Sequence, residues 1–309
     1  MEFGLALPQS EGVDLSRDVV MIAREAELAG FASLWVYERA LFPLNPSDGM
    51  YGVPGLAWID AYRSTADPLT VLAVAAAVTE RVRLGTCVLV AGLHSTLHIA
   101  RAMATLDQVT GGGRIVAGLG SGWSSDESRA VGADFRARGQ ALDETIQALR
   151  ALWGPDPVTY RDSRMAVENA LVSPKPSGRI PVLLGGGVTR VAMERIARVA
   201  DGWLPTGIPV SMMAQRLREI RKLAVTFGRR ADDVRMVPLV HVSVSDQPSG
   251  ADRAPFQGSV AQIVEDVAEV AQAGAHEVIL AQPGFTSGKE FLNRSMDLLD
   301  GLRDAGLAS

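Results

Sequence analysis

The amino-acid sequence predicts an α/β fold, namely a (β/α)₈ TIM barrel, and three observations carry that prediction. Short apolar runs alternate with helical stretches along the 309 residues, which is typical of a parallel sheet with helices outside. Eight strand–helix units can be counted, and eight units favour a closed barrel over an open doubly wound sheet. Two of the predicted strands end in glycine-rich stretches, at the edge where such barrels carry their active sites.

The predicted strands are apolar runs bounded by glycine, proline or polar residues. They cover residues 3–7, 33–36, 82–90, 115–117, 182–184, 203–204, 234–244 and 278–281. The predicted helices that follow them cover residues 15–29, 69–79, 96–109, 140–153, 189–199, part of 210–227, 260–273 and 290–302. We expect Asp14 to cap the first of these helices, and Asp67 with Pro68 to begin the second.

Two segments interrupt this alternation within a chain that we interpret as one domain over residues 1–309. Residues 37–67 form a long loop after strand two, rich in proline and glycine, and loops of this length are usually lids or binding loops. Residues 155–180 form an insertion before strand five with four prolines. The helix at 69–79 is apolar nearly all round, so a subunit interface or packing within the monomer must cover more than one side.

Composition and charge narrow the class of function. The net charge of −5 argues against nucleic acid as the main partner. A single cysteine, Cys87, excludes an internal disulfide framework and fits a reducing compartment. The N-terminal residues do not resemble a signal peptide, and the most apolar window, residues 69–78, is too short to span a bilayer. We therefore expect a cytoplasmic protein that acts on a small molecule, without a membrane partner.

The two glycine-rich strand ends suggest one ligand that both contact. The strand at 115–117 runs into residues 118–122, which contain three glycines, and the strand at 182–184 runs into Gly185, Gly186 and Gly187. Val188 and Thr189 then open a helix, and free backbone N–H groups at a helix start attract phosphate. The alternative is a tight turn with Thr189 as an ordinary N-cap, although three glycines exceed what a turn needs.

A set of motifs in order carries a family resemblance over most of the chain. They are ATLDQVTGGGR at 104–114, GLGSGW at 118–123, Arg138, LDE at 142–144, LRALW at 149–153, SPKP at 173–176, LGGG at 184–187 and ADGW at 200–203. With this set the sequence resembles the bacterial luciferase-like superfamily of flavin and deazaflavin enzymes. Detailed similarity points to the branch that uses coenzyme F420.

The resemblance implies a barrel that is usually a homodimer and holds F420, or alternatively FMN, at the strand ends. It implies a bulge and a cis peptide at Cys87–Val88 that prop the cofactor ring, close to Val90; the alternative is that these are ordinary buried strand residues. The expected cofactor contacts lie on four segments. They are Glu38; Cys87, Val88 and Val90; Ser121, Gly122, Trp123 and Asp126; and Gly185, Gly186, Gly187, Val188 and Thr189. For Trp123 the alternative is a cover over the barrel mouth, and for Asp126 an exposed loop residue.

The candidate catalytic residues are Glu38, Arg39 and His241. Relatives commonly have an acidic residue followed by histidine after strand two, and here Arg39 replaces the histidine. Arginine cannot act as a general acid near neutral pH, because its pKa exceeds about 12. Arg39 could bind an anionic substrate or the ring oxygen, or form a surface ion pair with Glu38. His241 in strand seven is the first alternative acid.

The sequence therefore predicts an F420-dependent oxidoreductase that transfers a hydride to or from an unidentified small organic substrate. A reduced-FMN monooxygenase on the same barrel is the alternative, and a carrier barrel with a decayed site is a third. No metal site is predicted, because His94 and His98 lack the glutamate that completes a zinc motif. Aromatic side chains of the long loop, Tyr51, Trp58 and Tyr62 among them, favour an apolar substrate, or simply hold the loop together.

Overall fold

The computed structural model, which describes residues 1–285 and 287–308, has an α/β fold built on a curled parallel sheet. Its strands are β1 Glu2–Ala6, β2 Ser33–Val36, β3 Arg83–Thr86, β4 Leu89–Val90, β5 Ile115–Gly120, β6 Val158–Arg161, β7 Ala166–Ala170, β8 Val182–Gly185, β9 Gly202–Leu204, β10 Arg235–Met236, β11 Leu239–His241, β12 Ser243–Val244, β13 Gln257–Gly258 and β14 Glu277–Ala281. Its α-helices are α1 Asp18–Ala29, α2 Pro68–Val78, α3 Thr96–Val109, α4 Ser125–Ala130, α5 Arg138–Leu152, α6 Arg190–Val199, α7 Val210–Thr226, α8 Val260–Gln272 and α9 Gly288–Asp304.

The main sheet has the strand order β10-β9-β8-β5-β3-β2-β1-β14-β11, with β4 beside β5. The strands β10 and β11 stand at opposite ends of this order but follow each other in the chain. The amides of Val237 and Leu239 donate to the carbonyl oxygens of Trp203 at 2.9 Å and of Pro205 at 3.0 Å. The sheet therefore curls back on itself, which is consistent with the predicted (β/α)₈ barrel.

Three predicted strands differ clearly from the observed ones, and one of them, predicted at 234–244, is observed as β10, β11 and β12. The strand predicted to end at residue 117 continues to Gly120, because it pairs with β4 as well as with β8. The Thr86 hydroxyl accepts the amide of Gly118 at 3.0 Å and donates to its carbonyl at 2.7 Å. A Cβ at Gly118 would lie 1.7 Å from the Thr86 carbonyl oxygen. Glycine is therefore required by close strand approach. The single strand predicted at 82–90 is divided into β3 and β4 by a cis peptide between Cys87 and Val88, at the position that the resemblance implies.

The interior of the barrel is filled around Trp35, which is 1% exposed. Its ring fits because the facing residue is Gly85, where a Cβ would come within 2.4 Å of the indole. The indole N–H bonds Ser33 Oγ at 2.6 Å and Glu277 Oε1 at 3.2 Å. Apolar side chains of β5, β8, β11 and β14 complete this layer, and Val88 packs on it. The ligand space therefore lies above Val88, at the carboxyl ends of the strands.

Helix starts were predicted with mixed success. The carboxylate of Asp67 accepts the Thr70 amide at 2.8 Å with Pro68 in the first helical position, which confirms the predicted start of α2. The prediction that Asp14 caps the first helix is wrong. Its carboxylate accepts the amide and hydroxyl of Ser16, and α1 begins at Asp18.

The irregular segments lie where the sequence places them. The long loop, residues 37–67, contains two short 3₁₀ turns, Met50–Gly52 and Asp60–Arg63, between β2 and α2. Residues 155–180 contain the antiparallel hairpin of β6 and β7. On α2, Val71 and Leu72 are buried within the monomer. None of the helices in the described part of the chain is long and apolar enough to cross a membrane.

Candidate functional site

A cavity of about 480 Å³ opens at the carboxyl ends of the strands, beneath the long loop. Twelve of the sequence-predicted site residues line it: Glu38, Arg39, Cys87, Val88, Val90, Ser121, Gly122, Trp123, Gly185, Gly186, Val188 and His241. The two glycine-rich strand ends therefore face one cavity, as a single bridging ligand requires. Three predicted contacts, Asp126, Gly187 and Thr189, are not among the lining residues, and the roles of all fifteen remain predictions.

Val88 forms the floor of this cavity. Its side chain lies between two glycines, where an added Cβ would stand 2.5 Å from Val88 Cγ2 at Gly120 and 3.1 Å from Cγ1 at Gly185. The glycines therefore admit Val88 at the floor, where the resemblance expects a support for a planar ring. Beside it, burial raises the pKa of the Cys87 thiol to about 12. Cys87 is therefore a neutral lining group and not a nucleophile at neutral pH.

The turn before α6 provides the predicted anion site. Gly186 has a φ of +88° and open space around the position of a Cβ, whereas a Cβ on Gly187 would stand 2.5 Å from Trp203 Nε1. Gly187 is therefore needed to pack against Trp203. The Thr189 hydroxyl accepts the Ala192 amide at 3.3 Å, which is the N-cap that the alternative interpretation describes. Gly186 and Val188 remain facing the cavity at the positive end of the helix dipole.

Arg39 is held by partners that sequence reasoning missed. Its guanidinium lies 3.0 Å from Glu127 Oε2, and the two side chains are 8% and 2% exposed. It also lies 4.6 Å from the ring centroid of Trp123 and 5.7 Å from that of Tyr62. Burial raises the pKa of Glu127 more than the charge of Arg39 lowers it. The buried partner of the Arg39 guanidinium is therefore the Glu127 side chain. Arg39 does not form the surface ion pair with Glu38.

Glu38 instead holds the segment that contains β4. Its carboxylate accepts the Val90 amide at 2.6 Å and bonds His94 Nε2, and Glu38 is 5% exposed. Burial disfavours the imidazolium of His94, but the hydrogen bond and charge of Glu38 outweigh burial and raise the pKa of His94. Glu38 therefore fixes the backbone just beyond Val88. Sequence reasoning considered His94 only as a metal ligand and missed this role.

Asp126 holds the long loop, and its contact with the cofactor stays a prediction. One carboxylate oxygen accepts the Ser47 amide at 2.7 Å, and the other accepts the Ser47 hydroxyl at 2.8 Å. Asp48 of the loop in turn accepts the amide and hydroxyl of Ser125 at 2.7 and 2.6 Å. Together with Glu127, which accepts the Ala40 amide at 2.7 Å, the first turn of α4 fixes the loop at three places.

His241 meets two tyrosines of the long loop. The Tyr51 hydroxyl lies 3.3 Å from His241 Nε2 and 3.1 Å from the Tyr62 hydroxyl. His241 lines the cavity, and the surrounding protein atoms desolvate its imidazolium, which holds its pKa below the ordinary value. The sequence predicted an aromatic loop but not which tyrosine would meet His241.

Comparison with known proteins identifies the family. A model of the luciferase-like monooxygenase family matches residues 1–277. The chain belongs to this luciferase-like family. An uncharacterised protein of Mycobacterium tuberculosis is 35% identical over 249 residues, which are 77% of this chain and 86% of that protein.

Two further luciferase-like relatives differ in cofactor. An F420-dependent glucose-6-phosphate dehydrogenase of Amycolatopsis mediterranei is 30% identical over 194 residues, 62% of this chain and 53% of that protein. An FMNH₂-dependent dimethylsulfone monooxygenase of Pseudomonas fluorescens is 34% identical over 128 residues, 40% of this chain and 35% of that protein. This luciferase-like chain therefore groups with oxidoreductases and monooxygenases of both cofactor types.

Solved structures share the luciferase-like fold at low sequence identity. The monooxygenase RslO1 of Streptomyces bottropensis matches with a TM-score of 0.79 and 20% identity, covering 99% of both chains. An F420-dependent secondary alcohol dehydrogenase matches with a TM-score of 0.76 and 16% identity, covering 98% of this chain and 100% of that chain. These similarities support the architecture alone.

Proposed function

We propose that this protein is an F420-dependent oxidoreductase that transfers a hydride between the deazaflavin and a small organic substrate. The observation that supports the proposal is that one cavity contains two features. It is lined both by the floor residue Val88 and by the open turn at Gly186 and Val188. A tricyclic ring with a phosphate-bearing chain needs both features at once. Deazaflavin has a carbon where flavin has its reactive nitrogen, so it supplies hydride transfer in preference to oxygen activation.

The residues of this chain have distinct parts in that function. Val88 supports one ring face, and Glu38 keeps the adjoining Val90 backbone in place. The open turn at Gly186, before α6, offers N–H groups to phosphate. Arg39 supplies no proton, because it remains charged near neutral pH and is bound by Glu127.

A reduced-FMN monooxygenase is the second candidate. Its support is the 34% identity to the FMNH₂-dependent dimethylsulfone monooxygenase. The absence of histidine at position 39 also matters less here, because oxygen chemistry would be carried by the flavin. The same floor and the same phosphate turn would hold either cofactor, so direct binding decides between them.

Titration of the protein with F420 and with FMN, followed by fluorescence, tests the proposal. We expect tight binding of F420 and none of FMN, and the reverse result would establish the alternative. The variant Val188→Asp places a negative charge beside the phosphate and should weaken F420 binding about 10-fold or more. The matched control is Val191→Asp in the first turn of the adjoining helix α6, at a side chain 65% exposed and outside the cavity lining, which should leave affinity unchanged.

A further inference from the structure

The cavity has a polar wall that the proposed cofactor contacts do not use. Tyr51, Tyr62 and His241 line the cavity and form a chain of hydrogen bonds, with 3.1 Å between the two hydroxyls and 3.3 Å between Tyr51 Oη and His241 Nε2. Three strands, β2, β1 and β14, lie between β3 and β11 in the sheet. His241 on β11 and Val88 just after β3 therefore line the same cavity from well-separated strands.

Tyr51 is fixed in an uncommon backbone conformation. Its φ is +57°, in the left-handed region that residues other than glycine rarely adopt and that clusters at functional sites. Its ring packs edge-on against Trp123 with 5.9 Å between centroids. The anchored long loop thus presents the Tyr51 hydroxyl to His241 and to the cavity.

The charged side chains of the cavity are already neutralised. Among the described lining residues, the acidic and basic side chains are Glu38 and Arg39. Glu38 is bound by His94 and the Val90 amide, and Arg39 is bound by Glu127. An ionic substrate would find no free counter-charge among these groups, and burying an unpaired charge is costly. The other side chains that line the cavity are uncharged. They include the apolar Ile59, Ile208 and Phe285 and the polar Gln9, Ser10, Thr206 and Gln282.

We propose that Tyr51 and His241 bind the hydroxyl or carbonyl oxygen of an uncharged, largely apolar substrate and carry its proton. This inference rests on the proposed function. In the oxidising direction the substrate would give up a hydride from carbon to the oxidised deazaflavin that the cavity is proposed to hold. Its hydroxyl proton passes to Tyr51 Oη as the tyrosine proton passes to His241 Nε2. The products are a carbonyl compound and an imidazolium, and reduction reverses each transfer.

The surroundings of His241 suit this role. Burial lowers the pKa of His241, so its imidazole is neutral and able to accept a proton near pH 7. Burial raises the pKa of Tyr51 and of Tyr62 and holds that of the nearby Cys87 thiol at about 12. These neighbours therefore stay neutral, and Arg39, which lies against the Tyr62 ring, is paired with Glu127.

Calorimetric titration without cofactor tests the pair directly. The probes are the neutral ketones cyclohexanone, acetophenone and 2-acetonaphthone, with benzoate as the charged comparison. We expect at least one ketone to bind, benzoate not to bind, and Tyr51→Phe to weaken ketone affinity about 5- to 10-fold through the lost hydrogen bond. The matched control is Tyr160→Phe, which removes a hydroxyl bonded to the Glu144 carbonyl outside the cavity. No ketone binding, preferred benzoate binding or an unaffected Tyr51→Phe variant overturns the inference.

The pH dependence of the reaction rate tests the proton transfer to His241. With F420 and 1-phenylethanol, the wild-type rate should fall as the pH drops through the pKa of His241, below about 6.5. The variant His241→Gln retains a hydrogen-bonding group but cannot titrate, so this acid limb should disappear. A limb that persists in His241→Gln overturns the proton role. Failure of the wild-type protein to bind F420 contradicts the proposed function instead, while the ketone titrations still report on the Tyr51–His241 pair.

Discussion

Substitution of Gly120 by alanine tests the link between the glycine-rich strand end and the cavity floor. The new Cβ would stand 2.5 Å from Val88 Cγ2, whereas carbon atoms in contact prefer about 3.5–4.0 Å. Val88 would therefore have to move by about 1 Å. Overpacking of this kind costs about 1–3 kcal/mol, and we expect a loss of that size in the free energy of unfolding.

Urea denaturation of four variants measures this effect. The control Gly178→Ala has no heavy atom within 4 Å of the added Cβ and should be nearly neutral. Val88→Ala should cost about 1–2 kcal/mol for two lost methyl groups. Because Val88→Ala also removes the clashing methyl, the double variant Gly120→Ala/Val88→Ala should be about as stable as Val88→Ala alone.

The double variant decides whether the reasoning is correct. If the effects of Gly120→Ala and Val88→Ala add to within about 0.5 kcal/mol, then Val88 is not what limits the side chain at position 120. The same variants should change cofactor affinity. An unchanged affinity in Gly120→Ala, measured by the titration described above, would show that the position of Val88 does not matter to the bound ring.

Three further predictions concern the residues around the cavity. Glu127→Gln leaves Arg39 buried without its carboxylate and should lose about 3–5 kcal/mol in urea denaturation; wild-type stability would contradict the pairing. The pKa of His94 is raised in the folded state, so its pairing with Glu38 stabilises the protein fully below about pH 6.5 and is lost as the pH rises through the raised value. The difference in melting temperature between wild type and His94→Gln should shrink over that range, and a constant difference would refute it. Asp126→Ala should make the long loop easier to cleave by trypsin while F420 affinity changes less than about 3-fold, whereas a large loss of affinity would restore the predicted cofactor contact.

The fold could be predicted to the extent that local signals determine it. Apolar runs and helix-start residues such as Asp67 with Pro68 are local, and they gave the order of strands and helices. The extent of β5 depends on its pairing with β4 and β8, so the sequence of β5 alone placed its end at residue 117. The prediction for Asp14 is wrong for a related reason. The side chain of a turn residue can accept hydrogen bonds from neighbouring residues instead of from the first amides of a helix.

The site could be predicted where glycine residues in the sequence indicate the backbone geometry. It was harder to predict where side chains contact residues that are distant in the sequence. Gly186 and Val188 line the cavity as predicted. Glu127 was missed because it meets Ala40, 87 residues away, through a loop with no periodicity to indicate its path. The contact between Asp126 and Ser47 was missed for the same reason, since Ser47 lies 79 residues away.

The filled barrel interior around Trp35 has a kinetic consequence. Since no room is left beneath Val88 in the layer that Trp35 occupies, guests arrive from the side of the long loop. A molecule that binds against Tyr51 before Val88 is covered then forms a dead-end complex, because it stands in the path of the molecule that rests on Val88. Steady-state measurements should then show a compulsory order of addition, and a saturating second guest should slow the escape of the first.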